Sequence, residues 1–455
     1  MSDLRRYPIL FQRLCYSLFI LLIVEGLLRK LVLGVVNTLI FFGKDFLLAY
    51  ALVQLLRIKQ VSLESQKYNR VVRILLALFI PLLVIHGFYD PVLVPWGLKQ
   101  YVFYAITGSL LISAFIDGDF ERFVRFFKTL SFFIIPTVII ALIQLQLPAN
   151  HWLNRAVDGG NLSGFAAAGF LRVSSSFSFT GQFSFFLHFI SALIFSLLYF
   201  PELRAANAAT RSTFTKYLPV CYLGFLILGV FVTGGRTAVF GAGSVFLLGL
   251  FFSLFKNQSF VLKKSIGPIL GLLALLLLLP VFKPDAFAAY TKRASGYNGQ
   301  SNTEEIQERV LGSFTGGFNS ILQEDNPIAF VFGKGLGVMT NGVDQLSSYA
   351  ARIRAYFWTE TDFATTAWEG GLYLVLVWYG FRIYMFLYCW QRWRKICDRG
   401  LSMCAAFFLG YILVTGLVGT LSIQPPVSIY WWGAIGIVIL LQHYDARFQL
   451  DSSNT

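Results

Sequence analysis

Charge is scarce in this chain. Only 13% of its 455 residues are Asp, Glu, Lys or Arg, about half of the roughly 25% usual in a soluble domain. That excludes an ordinary water-soluble globule. Histidine occurs four times and cysteine five times. His86, His151, His188 and His443 have no cysteine or carboxylate at ligand spacing, so no metal is expected. Cys15, Cys221, Cys389, Cys397 and Cys404 show no paired spacing, and none lies in the one long hydrophilic stretch, which argues against a disulfide framework or a zinc site. There is no Walker-type phosphate loop and no nucleophile elbow, so neither ATP-driven chemistry nor serine hydrolysis is supported. No cofactor is called for.

What the chain has instead is apolar length. It is 56% hydrophobic and 17% aromatic, and runs near the ~20 residues of a bilayer crossing recur from end to end. The pattern predicts an all-α polytopic membrane protein of about twelve crossings. They fall near 9–28, 31–56, 74–90, 98–116, 129–147, 180–200, 217–234, 237–255, 265–282, 360–390, 401–423 and 427–443. The first is read as a retained helix, because no small-residue cleavage site follows it. Three parts result: helices one to nine in 1–282, a large loop in 283–358, and helices ten to twelve with a short tail in 359–455.

The excess of 37 Lys and Arg over 23 Asp and Glu gives a net charge of +14. In a membrane chain such an excess is first a topology signal, not a sign of nucleic-acid binding. Arg57 to Arg73, Arg122 to Lys128, Arg204 to Lys216, Lys256 to Lys264 and Arg392 to Arg399 occupy every second connection. The positive-inside bias therefore predicts cytoplasmic termini, with 148–180, the turn at 233–237 and the long loop on the outer side.

Cations on that outer side need another explanation. Arg236 sits in the turn Gly234–Gly235–Arg236–Thr237 between two apolar segments. The glycines allow close backbone approach, the following helix offers free amides, and a guanidinium there suits a phosphate. Arg172 precedes a run of Ser and Thr ending at Gln182, residues that can cap the next helix or bind hydroxyls. Arg309 closes Glu304–Arg309, where an i,i+4 pair with Glu305 is the simplest reading. Glu360 and Asp362 mark the outer start of the tenth helix. Glu369 lies deeper, where an ionisable group is functional or paired by default. Glu25 reads as a structural partner of Arg29.

Taken together, these motifs resemble the bacterial O-antigen ligase and O-antigen polymerase superfamily over roughly Leu171–Tyr430. The family's arginine turn opening a helix is similar to Gly234–Thr237. Its loop arginine, its Pro and its glycine run are similar to Arg309, Asn326–Pro327 and Gly333–Lys334–Gly335–Leu336–Gly337. Its Glu-x-Gly is similar to Glu369–Gly370–Gly371. Where the ligases place a histidine this chain has Glu360 followed by Thr361, a departure that favours a polymerase or a divergent ligase over lipid A–core ligation.

The resemblance implies an all-helical fold of the GT-C type in a bacterial inner membrane. It also implies metal-independent glycosyl transfer on the outer face. The expected partners are a polyprenyl-diphosphate-linked oligosaccharide donor, a glycan or lipid-linked acceptor, membrane lipids and other polysaccharide-assembly proteins. Arg236, Arg309 and Arg172 would hold the diphosphate, with Arg236 stabilising the leaving group. Glu360 or Asp362 would take the acceptor's proton, and Gly234, Gly235, Glu369 and Gln182 would support the site. Two other functions fit an arginine-lined membrane protein: a transporter of a small anion or lipid-linked sugar, and a non-catalytic envelope-assembly subunit. A transporter is expected to show broken helices in matching halves, and no such pattern is visible in the sequence.

Overall fold

The structure, a computed structural model, describes residues 6–32, 34–58, 62–118, 120–157, 171–199, 213–256, 302–340, 342–357, 359 and 361–453. Every regular element among them is helical. Nine of the described helices are long and apolar enough to cross a bilayer, and the chain is an all-α multi-pass membrane protein. The crossing expected at 265–282 lies outside the described residues.

The first three long helices are α1 (Arg6–Leu31), α2 (Val35–Arg57) and α3 (Leu63–Tyr89). Helix α3 begins earlier than its apolar run, because Ser62 accepts from Ser65 N at the cap and Lys67 pairs with Glu64 at 2.9 Å. A capped, salt-bridged first turn carries the helix beyond its hydrophobic stretch. The next two expected crossings are each broken. One becomes α4 (Leu93–Tyr101), a 3-10 turn at Phe103–Ala105 and α5 (Ile106–Phe115). The other becomes α6 (Phe120–Phe132) and α7 (Ile134–Gln146). Pro136, three residues into α7, has no N–H for the carbonyl of Phe132, so the ladder is interrupted there.

The chain continues through α8 (Thr180–Tyr199), α9 (Thr213–Val232) and α10 (Arg236–Phe255). After the undescribed stretch come α11 (Asn302–Leu322), α12 (Pro327–Phe332) and α13 (Ser348–Tyr356). Three long helices end the protein: α14 (Asp362–Lys395), α15 (Arg399–Val418) and α16 (Pro425–Ser453).

Helices α8, α15 and α16 form the centre: the apolar window of α16 is 89% buried, against 22% for α2. Trp378, Trp431 and Trp432 are fully enclosed there, and Trp431 donates its indole N–H to Ile412 O at 3.0 Å. Helices α2 and α3 instead expose Phe46, Leu56, Ile74 and Phe88. Apolar side chains on a peripheral helix face are at home in lipid.

The contacts among the described helices gather at two distinct ends of the bundle. At one end α10 meets the junction of α14 and α15, where Lys256 Nζ donates to Trp393 O and Ile396 O, each at 2.7 Å. Asp445 accepts from Cys397 N and Asp398 N at 3.0 and 2.7 Å, and Arg392 is ion-paired with Glu64. Several of the basic residues read as topology signals are thus also struts between helices. The opposite end holds the α1–α2, α3–α4 and α9–α10 turns and the start of α14. It also carries 323–357, which docks on it.

Candidate functional site

The glycine turn is built as its sequence suggests. Gly234 takes a left-handed φ of 64°, and Gly235 is the N-cap of α10. Thr233 Oγ1 accepts from Gly235 N at 3.1 Å and donates to Val230 O at 2.8 Å, tying the end of α9 to the turn. Arg236 is the first residue of α10 and half-buried. The α10 N-terminus is braced by α8: a nitrogen of the buried His188 ring, Nε2, lies 2.9 Å from Thr237 O. That ring rests directly on Gly241, where a Cβ would come within 1.9 Å of Nε2.

Residues 171–179 run into the start of α8 and wedge against α1. Gly26 allows this approach, since a Cβ there would stand 2.0 Å from Phe177 C and 2.1 Å from Ser178 N. Leu27 N donates to Ser176 O at 2.8 Å. Ser175 has a left-handed φ of 53°, a costly state for a non-glycine residue. It is held by Gln144 Oε1 accepting from its N–H at 2.7 Å and by its own hydroxyl donating to Thr137 O at 2.5 Å. Arg172 lies at the head of this segment and is half-buried. Gln182 is half-buried in the first turn of α8.

Beside this segment lies a cluster of charges of which the sequence singled out only Glu25 and Arg29. Arg29 Nη1 is 3.4 Å from Glu25 Oε1 and 3.3 Å from Ser178 Oγ, and its Nε donates to Asn37 Oδ1 at 2.9 Å. Glu25 is therefore a structural partner of Arg29, as expected, but Lys44 shares it from α2 at 3.1 Å. Lys99 of α4 pairs with Asp45 at 2.7 Å, and Tyr104 donates to the other Asp45 oxygen at 2.9 Å. Lys30 donates to Ser174 Oγ, Leu153 O and Ser175 O at 2.7, 3.1 and 3.3 Å. Phe41, Phe42 and Trp96 line the cluster, with Lys44 Nζ 4.0 Å from the Phe41 ring and Lys99 Nζ 4.5 Å from that of Phe42. Lys44–Asp45 in the middle of an apolar run was the available signal, since charges there are functional or paired.

The two glycine motifs of the second half interlock. Helix α14 is two helical pieces joined at Gly371, whose φ is 59°. A Cβ on Gly333 would stand 2.4 Å from Gly370 N, and one on Gly371 would stand 2.6 Å from Phe330 O. Backbone meets backbone here, which only glycine permits. Lys334 N and Gly335 N donate to Trp368 O and Glu369 O, both at 3.0 Å. The fully buried Glu369 carboxylate accepts from Met339 N at 2.8 Å and from Tyr101 OH at 2.6 Å. His86 completes the clamp: Nδ1 accepts from Leu336 N at 3.0 Å, which leaves Nε2 to donate to Phe332 O at 2.8 Å.

Outside the membrane-spanning helices, Tyr349 donates to Lys334 O at 2.7 Å, and burial pushes its phenol up to about 12. Ser347 donates to Asp90 Oδ2 at 2.5 Å. The segment 323–357 is therefore fastened to α3, α4 and α14 at several points.

Asp362 is buried and ion-paired with Arg382 one helical face along α14. Its other oxygen accepts from Ser422 N at 2.7 Å and Ser422 Oγ at 2.6 Å, binding α14 to the α15–α16 turn. One oxygen thus pairs within α14 across its Gly371 break, and the other ties α14 to the α15–α16 turn. Arg309 lies on α11, and its side chain is outside the described residues, as is Glu360. The sequence-derived residues thus fall into separate groups: Arg236, Gly234 and Gly235 at one turn, Arg172 and Gln182 on the adjoining segment, and Asp362 and Glu369 in interhelical clamps.

No protein-family model and no curated protein matches this chain.

Proposed function

We propose that the protein is a membrane glycosyltransferase that polymerises or ligates polyprenyl-diphosphate-linked glycan units on the outer side of a bacterial inner membrane. Both termini would face the cytoplasm, and its fold would be of the GT-C type with about twelve crossings. The observation that carries this reading is Arg236, half-buried as the first residue of a twenty-residue apolar helix behind two glycines. A guanidinium at a helix N-terminus favours an anion, and a diphosphate is the anion that leaves in this chemistry.

In this reading Arg236 stabilises the charge on the departing diphosphate, and Arg172 and Arg309 hold its other oxygens. A carboxylate takes the acceptor hydroxyl's proton. Asp362 already serves Arg382 and Ser422, which leaves Glu360 for the base role. Glu369 and Gln182 support the site without touching the reacting atoms. The donor and acceptor are the lipid-linked oligosaccharide and a glycan or lipid-linked glycan, other polysaccharide-assembly proteins are the natural partners, and no cofactor takes part.

A transporter of a small anion or lipid-linked sugar is the second reading. It draws support from the breaks between α4 and α5 and at Gly371 of α14, since discontinuous helices are a transporter feature. The α14 break falls near one end of that helix, where it seats the glycine run.

Surface glycan from cells carrying Arg236→Ala, at matched protein level, decides between them. Single-unit glycan in place of a ladder is expected for a polymerase, and lipid-linked polymer without surface glycan for a ligase. An unchanged ladder refutes the assignment of Arg236.

A further inference from the structure

The apolar windows of α2 and α3 are 22% and 28% buried, the lowest among the described crossings, so most of both helices faces lipid. Residues 58–62 join them, which sets the end of α2 beside the start of α3. From 57 to 73 the cations are Arg57, Lys59, Lys67, Arg70 and Arg73, and Glu64 is the one carboxylate. That carboxylate is already taken, by Lys67 at 2.9 Å and by Arg392 of α14. Arg57 and Arg70 are exposed and make no ion pair among the described residues. Arg73 reaches Asn69 O of its own helix at 3.4 Å.

Topology alone does not ask for this placement. The positive-inside bias is met by charge in a connection, yet Lys67, Arg70 and Arg73 lie within α3. Arg70, Ile74, Ala77 and Val84 stand at i, i+4, i+7 and i+14 and are all exposed. One stripe of α3 therefore begins with a guanidinium and continues apolar. Helix α2 repeats the arrangement in the opposite direction, with exposed Phe46, Tyr50 and Val53 at i−11, i−7 and i−4 from Arg57. Each helix thus sets a cation at the end of a lipid-facing apolar strip, the same division of charge and hydrocarbon that a phospholipid has.

We propose that this α2–α3 corner binds an anionic phospholipid of the surrounding bilayer. Arg57 and Arg70 hold its phosphate oxygens, for which the planar guanidinium fork is suited. Lys67 and Arg73 add positive potential, and the acyl chains lie along the two stripes. The corner is at the end of the bundle that carries the Glu64–Arg392 pair, opposite Arg236, and it stands whatever reaction the protein performs.

The test is native mass spectrometry of the full-length protein in mild detergent, titrated with phosphatidylglycerol and separately with phosphatidylcholine of the same chains. The wild type is expected to bind the first phosphatidylglycerol about tenfold or more tighter than phosphatidylcholine, from several basic side chains acting together. Arg57→Gln and Arg70→Gln are each expected to weaken phosphatidylglycerol binding about fivefold, the scale of one basic side chain facing an anionic lipid. Both side chains are exposed and unpaired, so the fold survives their loss, and unchanged phosphatidylcholine binding checks this. Arg125→Gln removes a cation from α6 that is exposed and paired with Glu121 at 3.5 Å, and it is expected to change neither affinity. Equal affinity for the two lipids in the wild type overturns the proposal. So does an Arg125→Gln loss as large as those of Arg57→Gln and Arg70→Gln, which would assign the preference to overall charge and not to this corner.

Discussion

Asp362 is where structure and mechanism can be separated most sharply, because one carboxylate has been given two possible jobs. In the structure it pairs with Arg382, which is 2% exposed, and accepts two hydrogen bonds from Ser422. Asp362→Ala removes the only carboxylate paired with Arg382 among the described residues and strips Ser422 N–H of its acceptor. Breaking a buried pair by removing one partner costs about 3–5 kcal/mol. The orphaned amide adds about 1–3 kcal/mol, not fully additive with the first term. Asp362→Asn retains an acceptor for Ser422, so its cost is expected near the lower end of that range.

The double change Asp362→Asn with Arg382→Gln leaves a neutral amide pair and is expected to regain most of the loss, since replacing both members of a buried pair is often close to neutral. Denaturant unfolding of the purified protein in mild detergent measures all three variants. Activity is read alongside, as the surface glycan ladder. An interhelical clamp predicts that the double variant regains stability and ladder together. A catalytic base predicts a stable double variant without a ladder. Equal instability of single and double variants would refute the pairing argument itself.

Other positions give equally direct expectations. Gly26→Ala drives a Cβ into the backbone of Phe177 and Ser178, and overpacking against main chain costs about 1–3 kcal/mol or more; lowered resistance to unfolding is the check. Gly241→Ala displaces the His188 ring from Thr237, so the ladder is expected to shorten although Arg236 itself is untouched; a normal ladder would show that the turn tolerates losing its brace. Glu369→Leu leaves Met339 N–H and Tyr101 OH without their acceptor at about 1–3 kcal/mol for each orphaned group, read as faster proteolysis within 323–357. Tyr349 stays protonated in the folded protein after a free tyrosine near 10 has ionised, because its phenol is raised to about 12. Its share of the docking is therefore complete below pH 10 and lost as pH climbs towards 12, and an ultraviolet difference titration of wild type against Tyr349→Phe should place the missing transition near 12.

The membrane class was legible because apolar length is a one-dimensional property, and α1, α2, α8 and α10 fall close to their expected limits. The breaks were not, since a run of apolar residues reads alike whether its hydrogen-bond ladder is continuous or interrupted. At α6–α7 the clue was Pro136, and at α14 it was the pair Gly370–Gly371. The latter stands out as a motif, but its consequence, a backbone-to-backbone seat for Gly333, exists only in the folded chain. Glu369 shows the same gap. A carboxylate within an apolar run announces that it has a partner, but the partners are an amide thirty residues upstream and a phenol on α4, joined only by tertiary folding.

Lys44 and Lys99 carry that point further. Each looks like an isolated defect in an apolar segment, yet α1, α2 and α4 bring them beside Glu25 and Asp45 at ion-pair distance. The comparison with the other end of the bundle is informative. There Arg392 meets Glu64, and Lys256 caps the carbonyls of Trp393 and Ile396, so each cation finishes a contact between two helices. At the end bearing Arg29 and Lys99 the same kind of residue ties three helices together, since Arg29 of α1 and Lys44 of α2 share Glu25 and Lys99 of α4 pairs with Asp45 of α2. At both ends a charge that looks misplaced along the sequence is paired once the fold brings its partner beside it.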